Sequence, residues 1–213
     1  SDYVVSFIQQ QGVKDIFLLP GGGCIHLIDS IGKSSINFIC NLHEQACSIA
    51  ADAYGQYTNN LGVCVVTTGP GGTNAMTGIA AAWLDSTPMI VISGQVQKKD
   101  MTGGRGTRQI GFQELNMVDL VNPITKYAEV VRYAEDIKYH LEKAVFLARN
   151  GRPGPVWVDI PLDIQAATID ENSLRGFIPT LYDTINSNTF IRGNRLRNIV
   201  SNIIDDLNKA ERP

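Results

Sequence analysis

Six short apolar segments, alternating with helical patterns, constrain the fold of this 213-residue chain most strongly. They are too apolar for one side of a sheet to face water, which is typical of parallel strands covered on both sides. The alternation of strands with helices indicates an α/β fold. We therefore predict a doubly wound, mainly parallel sheet with helices on both faces. The predicted strands are 15–19, 36–40, 62–68, 89–93, 127–131 and 156–160, and the predicted helices are 1–12, 25–31, 47–57, 74–84 and 134–150.

The residue pattern changes after Pro161, where a mostly polar stretch begins. From Leu196 onward, apolar residues recur at helical spacing: Ile199, Val200, Ile203, Ile204 and Leu207. A single helix of this kind leaves its apolar face without a partner. We therefore predict a domain over 1–162, a linker over 163–190, and the start of a truncated second domain over 191–213.

Composition indicates a soluble globular protein, with 44% hydrophobic and 18% charged residues. The formal net charge of -3 predicts no surface for nucleic acid, and no apolar run is long enough to cross a membrane. The first residues form an amphipathic pattern that differs from a signal peptide. Four cysteines without a CxxC pair favour buried thiols in a reducing compartment over a disulfide framework or a zinc site. We predict a cytoplasmic protein without nucleic-acid or membrane partners.

Three glycine-rich turns follow predicted strands, at 20–23, at 69–72 and from Gly94 onward. Ligands of open parallel sheets bind beyond the carboxyl ends of the strands, where these turns lie. Neither nucleotide fingerprint fits, since His26 replaces the third glycine of a dinucleotide motif and the second turn lacks the Lys-Ser/Thr pair of a P-loop. We interpret the glycines as allowing the backbone to approach a flat organic ligand.

Glu44 lies at the start of a predicted helix, one strand before the 69–74 turn. A structural role is open to it, because Asn41 as N-cap and Glu44 three positions later would form a capping box, and an acid there suits the helix dipole. A functional role is also open, because the intervening strand can bring Glu44 and the turn close together.

Seven motifs occur in an order that resembles a known family. They are Leu19-Pro20-Gly21-Gly22, Asn41-Leu42-His43-Glu44-Gln45, Val66-Thr67-Thr68-Gly69-Pro70-Gly71-Gly72-Thr73-Asn74, Ser93-Gly94-Gln95-Val96, Phe112-Gln113-Glu114, Pro123-Ile124-Thr125-Lys126 and Gly151-Arg152-Pro153-Gly154-Pro155-Val156-Trp157-Val158-Asp159-Ile160-Pro161. Over about residues 2–161, the series resembles the N-terminal, pyrimidine-binding domain of thiamine diphosphate-dependent enzymes, and acetolactate synthases in particular.

The resemblance implies thiamine diphosphate as the cofactor and Glu44 as its activating acid. In the family this acid hydrogen-bonds N1′ of the aminopyrimidine and favours the imino tautomer, whose exocyclic nitrogen takes the thiazolium C2 proton. The chemistry requires a carboxyl group in a dry pocket. The resemblance also implies that Gln113, beside Phe112, reaches the reacting carbon, and that five residues contact the pyrimidine: Pro20, Gly21, Thr67, Pro70 and Asn74.

Ordinary structural roles stay open for several of these residues. Thr67 fits a β-branched strand position, and Asn74 fits a helix N-cap. Gln113 fits a loop residue that caps a helix. His43 is interpreted as structural and is left out of the catalytic set.

The resemblance implies an enzyme that condenses two 2-oxo acids, such as pyruvate, with loss of CO2. Two departures leave the substrate open. Segment 97–111 is longer than in most acetolactate synthases, and Leu162 replaces their usual lysine. A related lyase, 2-oxo acid decarboxylase or carbon-carbon hydrolase remains an alternative, as does a non-catalytic assembly module of the same fold.

The Gly-Asp-Gly motif of the family's diphosphate-binding domain is absent from this sequence. The resemblance therefore implies Mg2+ ligands on a separate domain and a second protomer that completes each active site, in a homodimer or homotetramer. FAD binding stays undetermined, since its site would belong to the absent part. We predict that this chain, as a fragment or as one subunit of a split enzyme, is inactive alone.

Overall fold

A six-stranded sheet forms the centre of the fold in the computed structural model, which describes residues 1–180 and 194–211. The strand order is β2-β1-β3-β4-β6-β5, and every neighbouring pair is parallel. The strands are β1 (Asp15–Leu18), β2 (Asn37–Cys40), β3 (Gly62–Val66), β4 (Met89–Gln95), β5 (Ala128–Val130) and β6 (Pro155–Pro161). This architecture confirms the predicted α/β class.

Helices cover both faces of the sheet. They are α1 (Asp2–Gln10), α2 (Ile25–Lys33), α3 (Glu44–Thr58), α4 (Pro70–Asp85), α5 (Met117–Val121), α6 (Ile137–Arg149) and α7 (Leu162–Gln165). Side chains from α1, α2 and α6 form one apolar cluster with alternate strand residues, and those from α3, α4 and α5 form a second with the residues between them. Successive strand residues point to opposite faces, so the two clusters lie on opposite sides of the sheet. A further helix, α8 (Asn194–Lys209), follows later in the chain, and its described residues contribute to neither apolar cluster.

The chain changes direction across the sheet between β1 and β3. The connection after β1 leads to β2 on one side, whereas β3 pairs with β1 on the other side. Such a switch point leaves a crevice beyond the carboxyl ends of the two strands, where α/β proteins bind ligands. Two of the three glycine-rich turns, those after β1 and β3, lie at this crevice.

The prediction of a sheet covered throughout is wrong for β2. Phe38 and Ile39 are 48% and 39% exposed, because β2 is an edge strand with β1 as its single neighbour among the described residues. Helix α4 also begins at Pro70, four residues before the predicted start. The short helix α5 is absent from the prediction.

Residues 96–116 run between β4 and α5 with one short 3-10 turn, Lys98–Asp100, as their regular structure. The Gly111 N–H donates to the Asp100 carbonyl over 2.8 Å. The Glu114 carboxylate accepts from the backbone N–H and hydroxyl of Thr102, over 2.9 and 3.0 Å. The predicted long glycine-bearing stretch is therefore folded back on itself and fixed at its base.

The chain after β6 stays against the domain for some distance, since Ile164 and Leu174 are buried. Further on, α8 forms where the apolar spacing predicts a helix, and Val200 and Ile203 on it are 44% and 53% exposed. The predicted linker and second-domain start remain predictions. Residues 181–193 and 212–213, which belong to these segments, lie outside the described residues.

Candidate functional site

Glu44 is the first residue of α3. His43 caps this helix, because its Nδ1 accepts a hydrogen bond from the Gln45 N–H over 3.1 Å. The predicted capping box is therefore wrong: His43 occupies the N-cap instead of Asn41, and Glu44 takes the first helical position. The structural interpretation of His43 agrees with this geometry.

The Glu44 carboxyl group is buried beside the start of α4, with 8% of the residue exposed. The Asn74 side-chain amide donates to Oε2 over 2.9 Å. A Cβ atom on Gly71 would lie 3.2 Å from Oε1, so the missing side chain leaves space beside the acid. Oε1 accepts no hydrogen bond within residues 1–180 and 194–211. One carboxyl oxygen is thus fixed, and the other can accept from a ligand.

Thr67 stands between the turns that follow β1 and β3. Its hydroxyl oxygen accepts from the Gly23 N–H over 3.0 Å. A Cβ atom on Gly21 would come within 2.5 Å of the Thr67 Cβ, and one on Gly71 within 2.7 Å of its Cγ2. Glycine is therefore required where the two turns approach Thr67. The close approaches that the structure shows here are between protein atoms. The approach of these glycines to a ligand stays a prediction.

Gly69 caps α4 and has a φ of +56°, a conformation that favours glycine. A Cβ atom on it would lie 2.0 Å from the Gln113 carbonyl oxygen. The Gln113 backbone therefore packs directly on this turn, while its side chain is exposed. The interpretation of Asn74 as an N-cap is wrong, because α4 starts at Pro70 and places Asn74 inside the helix.

The structure brings together most of the predicted site residues. The connected group consists of Glu44, Asn74, Thr67 and Gly21, with Gly71 between them. Pro20 and Pro70 are exposed residues of the two turns. Gln113 reaches the group through its backbone contact with Gly69, and its side chain forms no hydrogen bond within the described residues.

Three of the four cysteines are buried free thiols, as predicted. Burial raises the pKa of the Cys24 and Cys47 thiols to about 11, and the nearby Glu44 adds to both shifts. Burial also raises the pKa of Cys64 well above its ordinary value. Cys40 is exposed on β2. The buried thiols are therefore small apolar neighbours of the acid rather than nucleophiles.

A second buried polar cluster escaped the sequence reasoning. It lies beside the site, where β4 and β6 end, and consists of Thr68, Ser93, Gln95, Trp157 and Asp159. Burial raises the pKa of Asp159 to about 7, although hydrogen bonds from Ser93 and Gln95 lower it. An aspartate inside an otherwise apolar strand was the available signal, because aspartate is rarely buried without partners.

Comparison with known proteins identifies the family. Residues 1–120 match the family described as "Thiamine pyrophosphate enzyme, N-terminal TPP binding domain", which is more than half of the chain. The chain belongs to the thiamine pyrophosphate enzymes. Thiamine pyrophosphate is another name for thiamine diphosphate, so the match confirms the predicted family.

Curated relatives of this thiamine pyrophosphate domain are named as acetolactate synthases. The Escherichia coli isozyme 3 large subunit is 43% identical over 168 residues, which are 77% of this chain and 28% of the relative. The Lactococcus lactis large subunit is 41% identical over 172 residues, 80% of this chain and 29% of the relative. Chloroplastic acetolactate synthase 2 of Nicotiana tabacum is 41% identical over 169 residues, which are 78% of this chain and 24% of the relative. The chain thus spans less than a third of the length of these relatives.

The surroundings of Glu44 fit the aminopyrimidine half of thiamine pyrophosphate. The ring presents nitrogen atoms that hydrogen-bond a carboxyl group, and Glu44 Oε1 is free to form such a bond beside the open space at Gly71.

Within residues 1–180 and 194–211, no three His, Cys, Asp or Glu side chains are grouped to hold a metal ion. No helix in the same residues is long and apolar enough to cross a membrane.

Proposed function

We propose that this thiamine pyrophosphate-binding domain provides the aminopyrimidine side of the active site in an acetolactate synthase-like enzyme. The assembled enzyme, meaning this chain together with the diphosphate-binding part wherever that part is encoded, decarboxylates a 2-oxo acid such as pyruvate. It then passes the two-carbon unit to a second 2-oxo acid. One observation carries the proposal: a buried glutamate at the sheet's switch point keeps one carboxyl oxygen fixed and the other free.

Glu44 holds the proton that activates the cofactor. Asn74 fixes Oε2 over 2.9 Å, so Oε1 has no competing donor among the described residues and can share a proton with the pyrimidine nitrogen. Thr67 packs against Gly21 and Gly71 next to Glu44, and the exposed Pro20 and Pro70 belong to the same two turns, where they can contact the pyrimidine ring. The bound cofactor supplies an electron sink for the carbanion that decarboxylation produces. The chain orients the aminopyrimidine, provides a proton site at Glu44 and keeps water away from this carboxyl group.

Other parts of the assembled enzyme complete the site. We propose that Mg2+ binds on the diphosphate-binding domain, that a second protomer faces Glu44 in a homodimer or homotetramer, and that the enzyme works in the cytoplasm. Ala46 and Ala53 on α3 are small and exposed, which supports close approach of another protein surface. We expect the 213-residue chain to be inactive alone.

Substitution of Glu44 by glutamine tests the role of the acid. In the assembled enzyme with thiamine pyrophosphate and Mg2+, we expect Glu44→Gln to slow hydrogen–deuterium exchange at the cofactor C2 by about 10²- to 10⁴-fold, the contribution typical of one acid–base group. Exchange is measured by proton NMR after acid quench, and circular dichroism checks that folding is unchanged.

Asp52 offers a matched control for this experiment. It is a second buried acid on α3, about 12 Å further along the helix axis, and its carboxylate accepts from the Gln56 side chain over 3.1 and 3.2 Å. We expect Asp52→Asn to exchange at the wild-type rate. Wild-type exchange in Glu44→Gln would refute the role of Glu44, and equal losses in both variants would indicate a general effect of acid removal on the domain.

Segment 97–111 favours a second candidate function, a related 2-oxo acid decarboxylase or lyase. The segment is long and glycine-bearing, and it lies next to Gln113, the residue proposed to reach the reacting carbon. Product analysis separates the two functions. With pyruvate, the synthase yields one condensed product for each CO2 released, whereas a decarboxylase yields free acetaldehyde.

A further inference from the structure

Gln95, the last residue of β4, has every hydrogen-bonding position of its side chain occupied. Its Oε1 accepts from the Thr68 hydroxyl over 2.6 Å and from the Val96 N–H over 2.9 Å. Its Nε2 donates to Asp159 Oδ2 over 2.9 Å and to the Leu115 carbonyl over 3.0 Å. The residue is fully buried. A glutamine amide has two donor and two acceptor positions, and all four are satisfied here.

Asp159 fixes the orientation of this amide. Its Oδ2 accepts from Gln95, and its Oδ1 accepts from the Ser93 hydroxyl over 2.6 Å. The Ser93 hydroxyl oxygen in turn accepts from the Trp157 indole N–H over 2.7 Å. Reversing the Gln95 amide would place its oxygen against the carboxylate and its NH2 group against the Val96 N–H. Because these groups are buried, such unpaired contacts are costly, and the side chain is restricted to one orientation.

The two remaining contacts of Gln95 lead to the proposed active site. Thr68 directly precedes Gly69, the turn residue on which the Gln113 carbonyl packs. Leu115 lies two residues after Gln113 in the same segment. The Gln95 side chain therefore bonds both to the turn that follows β3 and to the segment that carries Gln113.

Gln113 depends on such anchoring because its backbone is strained. Its φ is +58°, in the left-handed region that non-glycine residues seldom occupy unless their surroundings hold them there. Its side chain is exposed and forms no hydrogen bond within the described residues. The position of Gln113 is thus set by its backbone contacts, to Gly69 on one side and through Leu115 to Gln95 on the other.

We propose that Gln95, held by Asp159, is a positioning residue that fixes the Gln113 segment against the Gly69 turn. Gln95 does not touch the substrate and acts through Leu115 and Thr68. The inference rests on the proposed function, in which Gln113 reaches the reacting carbon. It follows that loss of the Gln95 contacts impairs transfer to the acceptor 2-oxo acid more than cofactor activation by Glu44.

Gln95→Glu tests this selectively, because it keeps the side-chain shape and replaces the NH2 donor with an oxygen that faces Asp159 and the Leu115 carbonyl. In the assembled enzyme with pyruvate, we expect C2 exchange within about twofold of wild type. We expect the acceptor KM to rise by about tenfold or more, as the small displacement of a substrate-positioning group produces. A larger share of released CO2 should then appear as free acetaldehyde instead of condensed product.

A milder pair of variants keeps the test decisive if Gln95→Glu does not fold. Thr68→Val removes one hydroxyl donor to Gln95 with little change of shape, and Thr68→Ser retains that donor. We expect Thr68→Val to raise the acetaldehyde share and Thr68→Ser to restore the wild-type value. Unchanged product partition in folded Gln95→Glu and Thr68→Val would overturn the inference, as would a parallel loss of C2 exchange and condensation. Absence of C2 exchange in the wild-type enzyme would instead refute the proposed function.

Discussion

Two buried carboxyl groups lie at the same edge of the sheet, and their surroundings differ. Glu44 retains 8% exposure and has one oxygen held by Asn74 and one free. Asp159 is fully buried, and both of its oxygens accept hydrogen bonds, from Ser93 and Gln95. The first arrangement leaves a position for a ligand, and the second leaves none. Glu44 and Asp159 thus differ in whether a carboxyl oxygen is left for a ligand.

Two consecutive threonines separate these regions. Thr67 bonds to Gly23 on the side of Glu44, whereas Thr68 bonds to Gln95 on the side of Asp159. Side chains of successive residues in an extended chain point in opposite directions, so the end of one strand serves both regions. The open site at Glu44 is therefore built directly against a closed and fully bonded polar cluster.

Removal of the Asp159 carboxyl group should have the largest effect on stability. The folded chain keeps the Asp159 proton up to about pH 7, because burial raises the pKa, while the unfolded chain releases it near pH 4. The free energy of unfolding therefore falls as pH rises between about 4 and 7, by up to about 4 kcal/mol from this group. We expect Asp159→Asn to lose this part of the decline in urea unfolding measured across that pH range.

Ser93→Ala tests the titration of Asp159 in the same urea experiment. The Ser93 hydroxyl lowers the pKa of Asp159 through its hydrogen bond, so its removal should extend the decline in unfolding free energy to higher pH. Identical pH profiles for wild type and Asp159→Asn would contradict the assignment of a buried, proton-retaining acid.

Gly69 joins the two regions, and its substitution tests how tightly they are packed. Alanine there would adopt a φ of +56° and place its Cβ 2.0 Å from the Gln113 carbonyl oxygen. We expect Gly69→Ala to reduce the free energy of unfolding by about 3 kcal/mol, from backbone strain and overpacking together.

Gly22 provides the matched control, since a Cβ on it would meet nothing within 4 Å. We expect Gly22→Ala to change the unfolding free energy by less than about 1 kcal/mol. Urea titrations of both variants measure the difference. Equal effects would mean that the contact between Gly69 and Gln113 is not tight in solution.

Thiol alkylation measures how closed the surroundings of Glu44 are. At pH 8, the raised pKa of Cys24 and Cys47 leaves about 100-fold less thiolate than an ordinary cysteine carries. We expect iodoacetamide to label exposed Cys40 first in the native 213-residue chain, with the other three labelled after unfolding. Mass spectrometry of peptides identifies the sites. Labelling of Cys47 as fast as Cys40 would show that the protein around Glu44 opens readily.

Local sequence patterns were sufficient to predict much of the fold and the family of this protein. Apolar runs predict the parallel sheet, and the order of motifs predicts the thiamine pyrophosphate family, because both are properties of neighbouring residues. Helix starts were harder to predict. Asn41 and Asn74 are good capping residues by type, yet His43 and Gly69 hold the caps, because the connections that pack around Glu44 and Gln113 decide where each helix begins.

Residue patterns alone were enough to predict the fold class, the family and the candidate role of Glu44. Packing of the folded chain fixes which oxygen of Glu44 is free, places the Gln113 backbone on Gly69 and makes Gln95 a link between distant segments. The physical reason is distance along the chain. Gln95 bonds to Asp159 and to Thr68, 64 and 27 residues away, and contacts of this kind exist only once the strands have aligned.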